Sequence, residues 1–178
     1  MSAAVGDGAN VRDADYLVGD WYDNADAGIS YQPLAAGLVA KARTFLEPHL
    51  AVAKPRHHRW STEQHKPLHA LGRHAAARMG LCTPEEVLVN INAGVAYHYD
   101  RTAPYTAINV VVLLRYLAAG GQVVFPQLRL GFMPRDGWAL AFDGKAHLHG
   151  VTDVEPGAGY RASLVYYCRQ REPRHAPA

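Results

Sequence analysis

Apolar residues recur every three or four positions in two segments of the first half of the chain. The first segment runs from Pro33 to Pro48, and the second covers residues 62–79, where Gly80 is a typical C-terminal stop. Pro33 suits a first helical turn and Pro48 interrupts the pattern, so we predict one helix between these prolines and a second over 62–79. The intervening AKPRHHRW segment is typical of a connector.

The hydrophobic pattern changes after residue 86. Short runs rich in Val, Leu, Ile, Tyr and Phe are now separated by Gly, Pro and Asp, which is typical of strands and turns. The predicted strands cover residues 87–92, 106–116, 122–126, 138–142, 148–154 and 159–168. Several short strands that follow two helices predict an α+β fold, in which helices back an antiparallel sandwich or barrel.

The length of 178 residues predicts one domain with a substantial core. Residues 1–14 are small and polar and are expected to form a flexible N-terminus, followed by a single domain over 15–172. Within that domain we expect a helical part over about 33–80 and a β-rich core over about 87–169. The sequence has no apolar run of membrane-spanning length, no signal-peptide pattern and no cysteine framework, so we expect a cytoplasmic protein that does not contact a membrane.

Charge is distributed unevenly along the chain. The formal net charge is +2, yet residues 54–78 alone carry +5 and five of the ten histidines. Such a block often binds an anionic partner, although a solvated helix face is its commoner meaning. Its basic residues include Arg56, His57, His58, Arg59, Lys66, Arg73 and Arg78.

The AYHYDR stretch holds the first candidate site residues, His98 and Asp100. Residues two apart on a strand point to the same face, so both side chains can reach one ion. About fifty residues downstream, FDGKAHLHGV supplies His147 and His149, whose equal strand parity leaves the choice between them open. Two histidines and one carboxylate form the facial triad that holds non-haem Fe(II) and leaves positions open for ligands.

Arg161 and Ser163 follow on the next predicted strand, with the same parity. A guanidinium at this place is suited to the distal carboxylate of a dicarboxylic co-substrate, because it can form a bidentate pair that a lysine cannot. The hydroxyl of Ser163 adds a further hydrogen-bonding group.

In this order the motifs resemble those of the Fe(II)/2-oxoglutarate-dependent dioxygenases, from about Val87 to Arg169. The resemblance implies a double-stranded β-helix (jelly roll) of antiparallel strands, with His98, Asp100 and His149 as the catalytic metal ligands. It implies that Arg161 and Ser163 bind 2-oxoglutarate, and that one of Asn90 and Asn92 contacts it. The spacing to Arg161 and the following Gly-Val favour His149 over His147. An aspartate at position 100 implies hydroxylation rather than halogenation.

The implied cofactors and co-substrates are Fe(II), 2-oxoglutarate and O2, with ascorbate as a reductant, and the products include succinate and CO2. The segment from Phe125 to Val154 resembles the TET/JBP branch, which oxidises the 5-methyl group of pyrimidines in nucleic acid. The primary substrate is therefore either a nucleobase in DNA or RNA or a free amino acid or other small metabolite, with a prolyl-hydroxylase-like peptide enzyme as a further alternative. Tyr97 and Tyr105 are candidates to line the substrate pocket. A cupin-like metal-binding module without oxygen chemistry is the alternative of another class.

Overall fold

The computed structural model of the chain describes residues 13–50, 56–61, 65–101, 107–155, 157 and 159–169. Along this part of the chain the helices are α1 (Ala36–Leu50), α2 (Lys66–Arg78) and a short 3-10 helix (Pro126–Leu128). The strands are β1 (Tyr16–Val18), β2 (Tyr22–Asn24), β3 (Ile29–Pro33), β4 (Arg56–Ser61), β5 (Glu86–Ile91), β6 (Val95–His98), β7 (Ala107–Tyr116), β8 (Val123–Phe125), β9 (Leu130–Phe132), β10 (Trp138–Phe142), β11 (His149–Val151) and β12 (Tyr160–Arg169). None of the helices described here is long and apolar enough to cross a membrane.

Two sheets pack against each other. The smaller has the strand order β1-β9-β8-β11-β6, and the larger has the order β2-β3-β10-β7-β12-β5-β4. Strands pair antiparallel in both sheets, except that β1 runs parallel to β9. Buried residues of β7 and β10 pack with those of β8 and β9 to form the core between the sheets. Helices α1 and α2 cover the other face of the larger sheet, as predicted for an α+β fold in which helices back the strands.

Strand β12 shows how the sequence supplies both faces of the larger sheet. Its alternate residues Ala162, Leu164, Tyr166 and Cys168 are fully buried and belong to the core beneath the helices. The residues between them, from Arg161 onwards, face the opposite side, because successive strand side chains alternate. One face is therefore a packing surface and the other is available for a site.

Both predicted helices are present, but two boundaries of the first were wrong. Pro33 ends strand β3 instead of beginning a helix, and it pairs with Trp138 at the end of the ladder, where a proline is tolerated. Pro48 lies within α1, which continues to Leu50. A proline costs a helix one backbone hydrogen bond, but burial of Leu50 at 4% exposure keeps the last turn helical.

The segment predicted to be a connector contains strand β4, which is an edge strand of the larger sheet. Its backbone pairs with all six residues of β5. The sequence of β4, RHHRWS, is mostly polar and does not alternate, so it contains no strand pattern. This strand forms because it pairs with β5.

Candidate functional site

The pairing of β6 with β11 brings the HxD motif and the distal histidine together. His98 is the last residue of β6 and lies directly opposite His149, the first residue of β11. The two imidazole centroids are 4.3 Å apart. The chain leaves β6 after His98, and the backbone N–H of Asp100 donates to the carbonyl of Gly144 at 2.9 Å, which fixes the backbone of Asp100 beside the two histidines.

The three side chains present one ligand atom each, and these atoms lie within 4.8 Å of one another. Asp100 Oδ1 is 3.4 Å from His98 Nε2 and 4.0 Å from His149 Nε2. Each ring's Nδ1 lies 2.9 Å from a backbone carbonyl, that of Ala96 for His98 and that of His147 for His149. Because a carbonyl only accepts hydrogen bonds, Nδ1 carries the hydrogen in both rings, and Nε2 is directed toward the carboxylate.

The charges of the cluster follow from burial and hydrogen bonding. The hydrogen bond with Asp100 raises the pKa of His98, although partial burial acts in the opposite direction. Burial would raise the pKa of Asp100, but hydrogen bonds from His98 and Asn109 outweigh it and hold the pKa below its ordinary value. Burial lowers the pKa of His149, which favours a neutral ring. The cluster therefore combines an ionised carboxylate with a buried neutral imidazole.

The cluster lines a partly open cavity of about 160 Å³. The lining residues come from both sheets, and six of the fifteen are aliphatic: Leu88, Asn90, Val95, His98, Asp100, Asn109, Val111, Val123, Phe142, His149, Val151, Arg161, Ser163, Val165 and Tyr167. The two histidines and the aspartate are contributed mainly from the smaller sheet and its loops. Arg161, Ser163 and Asn90 are contributed by β12 and β5 of the larger sheet.

Arg161 is a fully buried cation that has no anionic partner among the residues described. Its exposure is 1%, and its Nη1 donates to the Ser163 hydroxyl at 2.9 Å. Its Nε and Nη2 are buried and have no hydrogen-bond partner. Burial lowers the pKa of Arg161 to about 10, so the guanidinium still carries its charge at neutral pH. A buried, partly unpaired guanidinium is costly unless an anion completes it.

The donor set can be tested against the groups that the sequence implies. Two imidazole nitrogens and one carboxylate oxygen are ligands that suit ferrous iron, and three ligands leave coordination positions open. Arg161 lines the same cavity, and its two unpartnered nitrogens, Nε and Nη2, are donors suited to a carboxylate. The described residues therefore fit both a metal ion and a dicarboxylate.

The geometry separates the two candidate distal histidines. The Nε2 of His147 lies 2.7 Å from the carbonyl of Ala27, and this residue is absent from the cluster formed by His98, Asp100 and His149. His147 therefore packs against the backbone of the loop before β3, while His149 lies beside the carboxylate.

The two asparagines also differ in position. Asn90 lines the cavity, and its Nδ2 lies 3.5 Å from Ser163 Oγ. Asn92 is absent from the lining, and its Oδ1 accepts a hydrogen bond of 2.8 Å from the backbone N–H of Arg161. Asn92 follows the last residue of β5 and has a φ of 49°, so its side chain does not continue the strand alternation. Asn92 therefore holds the backbone of Arg161 in place by this hydrogen bond.

The remaining predicted site residues lie away from the cavity or outside the described side chains. The Tyr97 hydroxyl donates to Asp13 at 2.8 Å on the surface, and Tyr105 lies outside the described residues. Of the basic block, Arg78 is engaged by the side chain of Gln32, while the side chains of 56–59 lie outside the description.

Three residues at the site were not identified from the sequence. Asn109 donates a hydrogen bond to the second carboxylate oxygen of Asp100. Gly144 leaves room for that carboxylate, and Gly121 leaves room for the side chain of Arg161. The AAGG and FDGK stretches separate predicted strands, and their glycines carry no pattern that relates them to a distant side chain.

No known family model and no curated protein matches the sequence. Solved structures do match. NgTET1 in complex with 5mC DNA has a TM-score of 0.59 and 13% identity, over 86% of this chain and 82% of that one. A 2OG-Fe(II) oxygenase family oxidoreductase from Burkholderia pseudomallei has a TM-score of 0.62 and 18% identity, over 83% of this chain and 87% of that one. A prolyl-4-hydroxylase from Pseudomonas putida has a TM-score of 0.58 and 20% identity, over 83% of this chain and 95% of that one.

These similarities establish a shared fold. The chain has the jelly roll found in 2OG-Fe(II) oxygenases, including a TET protein and a prolyl hydroxylase, so the predicted fold class is confirmed. The predicted resemblance to this group is confirmed at the level of the fold, and the chain carries a His–Asp–His cluster in the order of the HxD…H motif.

Proposed function

We propose that the protein is a non-haem Fe(II)- and 2-oxoglutarate-dependent dioxygenase that hydroxylates its substrate with release of succinate and CO2. One observation carries the proposal: a single cavity joins the His98–Asp100–His149 cluster to a buried guanidinium with two unpartnered nitrogens. A metal site alone would not need the arginine, and an arginine alone would not need the cluster.

In this proposal His98 and His149 hold the metal through Nε2, and Asp100 holds it through a carboxylate oxygen. The backbone carbonyls that accept from each Nδ1 keep the rings in this orientation before any ligand arrives. Bound Fe(II) would supply the activation of O2, coupled to oxidative decarboxylation of 2-oxoglutarate, and ascorbate would keep the metal reduced. The protein groups themselves bind, orient and exclude water.

Arg161 would bind the carboxylate of 2-oxoglutarate that is remote from the metal, with Ser163 and Asn90 beside it. The Ser163 hydroxyl accepts from Arg161 Nη1 and so fixes the guanidinium in one plane. The aliphatic lining, which includes Val111, Val123 and Val165, would cover the methylene groups of the co-substrate and exclude water from the metal side.

For the primary substrate we propose either a nucleobase in DNA or RNA or a free amino acid or other small metabolite. The fold shared with NgTET1 and the basic composition of residues 54–78 support the first class. Strand β4, which holds Arg56–Arg59, also pairs with the strand that carries Leu88 and Asn90 of the cavity. The small cavity supports the second class, and the fold shared with a prolyl-4-hydroxylase supports a peptidyl-proline substrate as a third.

The test is succinate release from 2-oxoglutarate by the protein supplied with Fe(II), ascorbate and O2. Parallel reactions contain no further substrate, methylated DNA, the same DNA without methylation, an amino-acid mixture, or a proline-rich peptide. We expect slow succinate release without substrate and a stimulation by one substrate class. Each reaction is followed by mass spectrometry of the substrate for a gain of one oxygen atom.

Variants at the site separate an oxygenase from a cupin-like module. We expect His98→Ala and Asp100→Ala to lose metal and turnover while the far-UV circular dichroism spectrum is retained. We expect Arg161→Ala to keep the metal and raise the KM for 2-oxoglutarate. A wild-type protein that binds Fe(II) but releases no succinate in any reaction would refute the oxygenase and favour the cupin-like module.

A further inference from the structure

Asn109 is a buried polar residue of β7 that contacts one member of the His–Asp–His cluster. Its exposure is 2%, and its Nδ2 donates to Asp100 Oδ2. An ionised carboxylate only accepts hydrogen bonds, so the amide must present its nitrogen to Asp100 and its oxygen away from it. The contact joins the larger sheet to the loop that follows β6.

The two oxygens of Asp100 therefore have different surroundings. Oδ1 faces the Nε2 atoms of His98 and His149. Oδ2 is engaged by Asn109, and it lies so close to Gly144 that a Cβ at that position would overlap it. One oxygen is directed toward the histidines, and the other is held by the protein.

We propose that Asn109 is a positioning residue that leaves Asp100 only one carboxylate oxygen with which to bind a metal. This inference rests on the proposed function, because it assumes that the cluster binds a metal ion. A carboxylate that binds through one oxygen occupies a single coordination position, so positions for a chelating co-substrate and O2 stay open. A carboxylate free to rotate would lose this restriction and its orientation toward the histidines.

The amide oxygen of Asn109 adds a second role in the same arrangement. Oδ1 is buried, has no hydrogen-bond partner among the described residues, and belongs to a residue that lines the cavity. A buried amide oxygen is costly when unpaired, so it is suited to accept an N–H or O–H donor from a molecule in the cavity. Asn109 thus links the orientation of the carboxylate to the occupancy of the cavity.

The test uses the metal alone, so that it does not depend on turnover. Mn(II) and Co(II) affinities are measured by titration in the absence of 2-oxoglutarate, together with the visible absorption spectrum of the Co(II) form. Asn109→Leu removes the donor with little change in volume, and Asn109→Asp replaces it with a second acceptor. We expect affinities about 10- to 100-fold weaker in both variants, which is the range for groups that orient a metal ligand, and an altered Co(II) spectrum.

Val112→Ala is the matched control. Val112 is a neighbour on the same strand, but it is fully buried on the helix-covered face and is absent from the cavity lining. It should lower the unfolding midpoint without changing the metal affinity of the folded protein or the Co(II) spectrum. A metal affinity that falls equally in Val112→Ala and Asn109→Leu would show that strand stability, and not the amide, is responsible.

Asp100→Ala distinguishes this inference from the proposed function. If Asp100→Ala binds metal as tightly as the wild type, the cluster is not the metal site and both proposals are wrong. If Asp100→Ala loses the metal while folded Asn109→Leu and Asn109→Asp retain wild-type affinity and spectrum, only the role of Asn109 is refuted. If either Asn109 variant fails to fold, the other supplies the comparison. If neither folds, Asn109 is a folding determinant, and the positioning role is overturned.

Discussion

The carboxylate of Asp100 packs directly against Gly144, and it can take this position only because residue 144 has no side chain. The Gly144 carbonyl accepts from the Asp100 backbone N–H at 2.9 Å, while the missing side chain of the glycine leaves room for the carboxylate. A Cβ at position 144 would overlap both Asp100 Oδ2 and Asn109 Nδ2. The loop between β10 and β11 thus helps to position the His–Asp–His cluster, although it supplies none of the candidate ligands.

Gly144→Ala should therefore weaken metal binding. The new methyl group must displace the Asp100 carboxylate or the loop, and either movement separates Oδ1 from the histidine nitrogens. We expect at least a tenfold loss of Mn(II) affinity and a similar loss of succinate release, measured on protein whose circular dichroism spectrum is unchanged. Gly37→Ala is the control, because the first turn of α1 has nothing within 4 Å of the added carbon. Unchanged Mn(II) affinity in Gly144→Ala would contradict the close packing described here.

Gly121 has a comparable relationship with Arg161. A Cβ on Gly121 would lie 3.0–3.1 Å from Nε, Cδ and Cγ of that arginine, and the glycine has a φ of +71°, which is unfavourable for other residues. We expect Gly121→Ala to tilt the guanidinium and to raise the KM for 2-oxoglutarate by about tenfold or more, since hydrogen bonds to charged groups contribute about 1.5–3 kcal/mol. Metal affinity should stay within about twofold of the wild type.

Initial rates of succinate release over a range of 2-oxoglutarate concentrations measure this effect. Arg161→Lys is the reference variant, because it keeps the charge but loses the planar pair of donors. We expect it to raise the same KM. A Gly121→Ala enzyme with an unchanged KM and a reduced metal affinity would mean that this glycine supports the cluster instead of the arginine.

The candidate ligands could be predicted from the sequence because each belongs to a short local pattern. His98 and Asp100 are only two residues apart, and Arg161 and Ser163 share the parity of one strand. Asp100 lies beyond the end of β6, but the short spacing still places it beside His98. The resemblance carried by the order of the motifs implied the jelly roll, and the apolar runs predicted four of the seven strands of the larger sheet, β5, β7, β10 and β12.

Other parts depend on long-range contacts that no local pattern contains. Asn109 contacts Asp100 because β7 lies beside the loop that follows β6. Gly144 contacts the same carboxylate from the loop between β10 and β11. Asn92 was a candidate together with Asn90, but its positive φ ends the strand alternation and places its side chain elsewhere. Strand β4 depends on its pairing with β5 and not on a hydrophobic pattern of its own.

Helix α2 packs closely on the larger sheet where Gly72 lies against the ring of Tyr166. A Cβ on Gly72 would overlap the fully buried tyrosine ring, whose hydroxyl donates to the Leu68 carbonyl at 2.8 Å. We expect Gly72→Ala to lower the free energy of unfolding by about 1–3 kcal/mol through overpacking, although alanine favours a helix. Urea denaturation measures this free energy. Gly37→Ala is the control, because Gly37 is also in a helix but an added Cβ would contact nothing.

A double-mutant cycle with Tyr166→Leu identifies the cause. If the overlap is responsible, the loss caused by Gly72→Ala should shrink when the ring is absent. Equal losses in both backgrounds would assign the effect to the helix and not to the contact with the ring.

Cys168 should make the protein less stable at alkaline pH. The side chain is fully buried on β12, and burial raises the pKa of its thiol from 9.0 to about 12. Between these two values the unfolded chain releases a proton that the folded chain keeps, so stability falls as the pH rises, by at most about 1.4 kcal/mol per pH unit. Burial also raises the pKa of Tyr31 to about 12, which adds a loss of the same sign at pH values above its ordinary 10.0.

Urea denaturation at a series of pH values from about 7 to about 10 measures this dependence, and Cys168→Ala isolates the thiol. The variant should be less stable than the wild type at neutral pH, because it leaves a small cavity, and the difference should narrow as the pH rises above 9. Val89→Ala is a control from the same helix-covered core, with no titratable group, and its difference from the wild type should stay constant. Parallel pH profiles for the wild type and Cys168→Ala would show that the thiol does not contribute to the alkaline loss of stability.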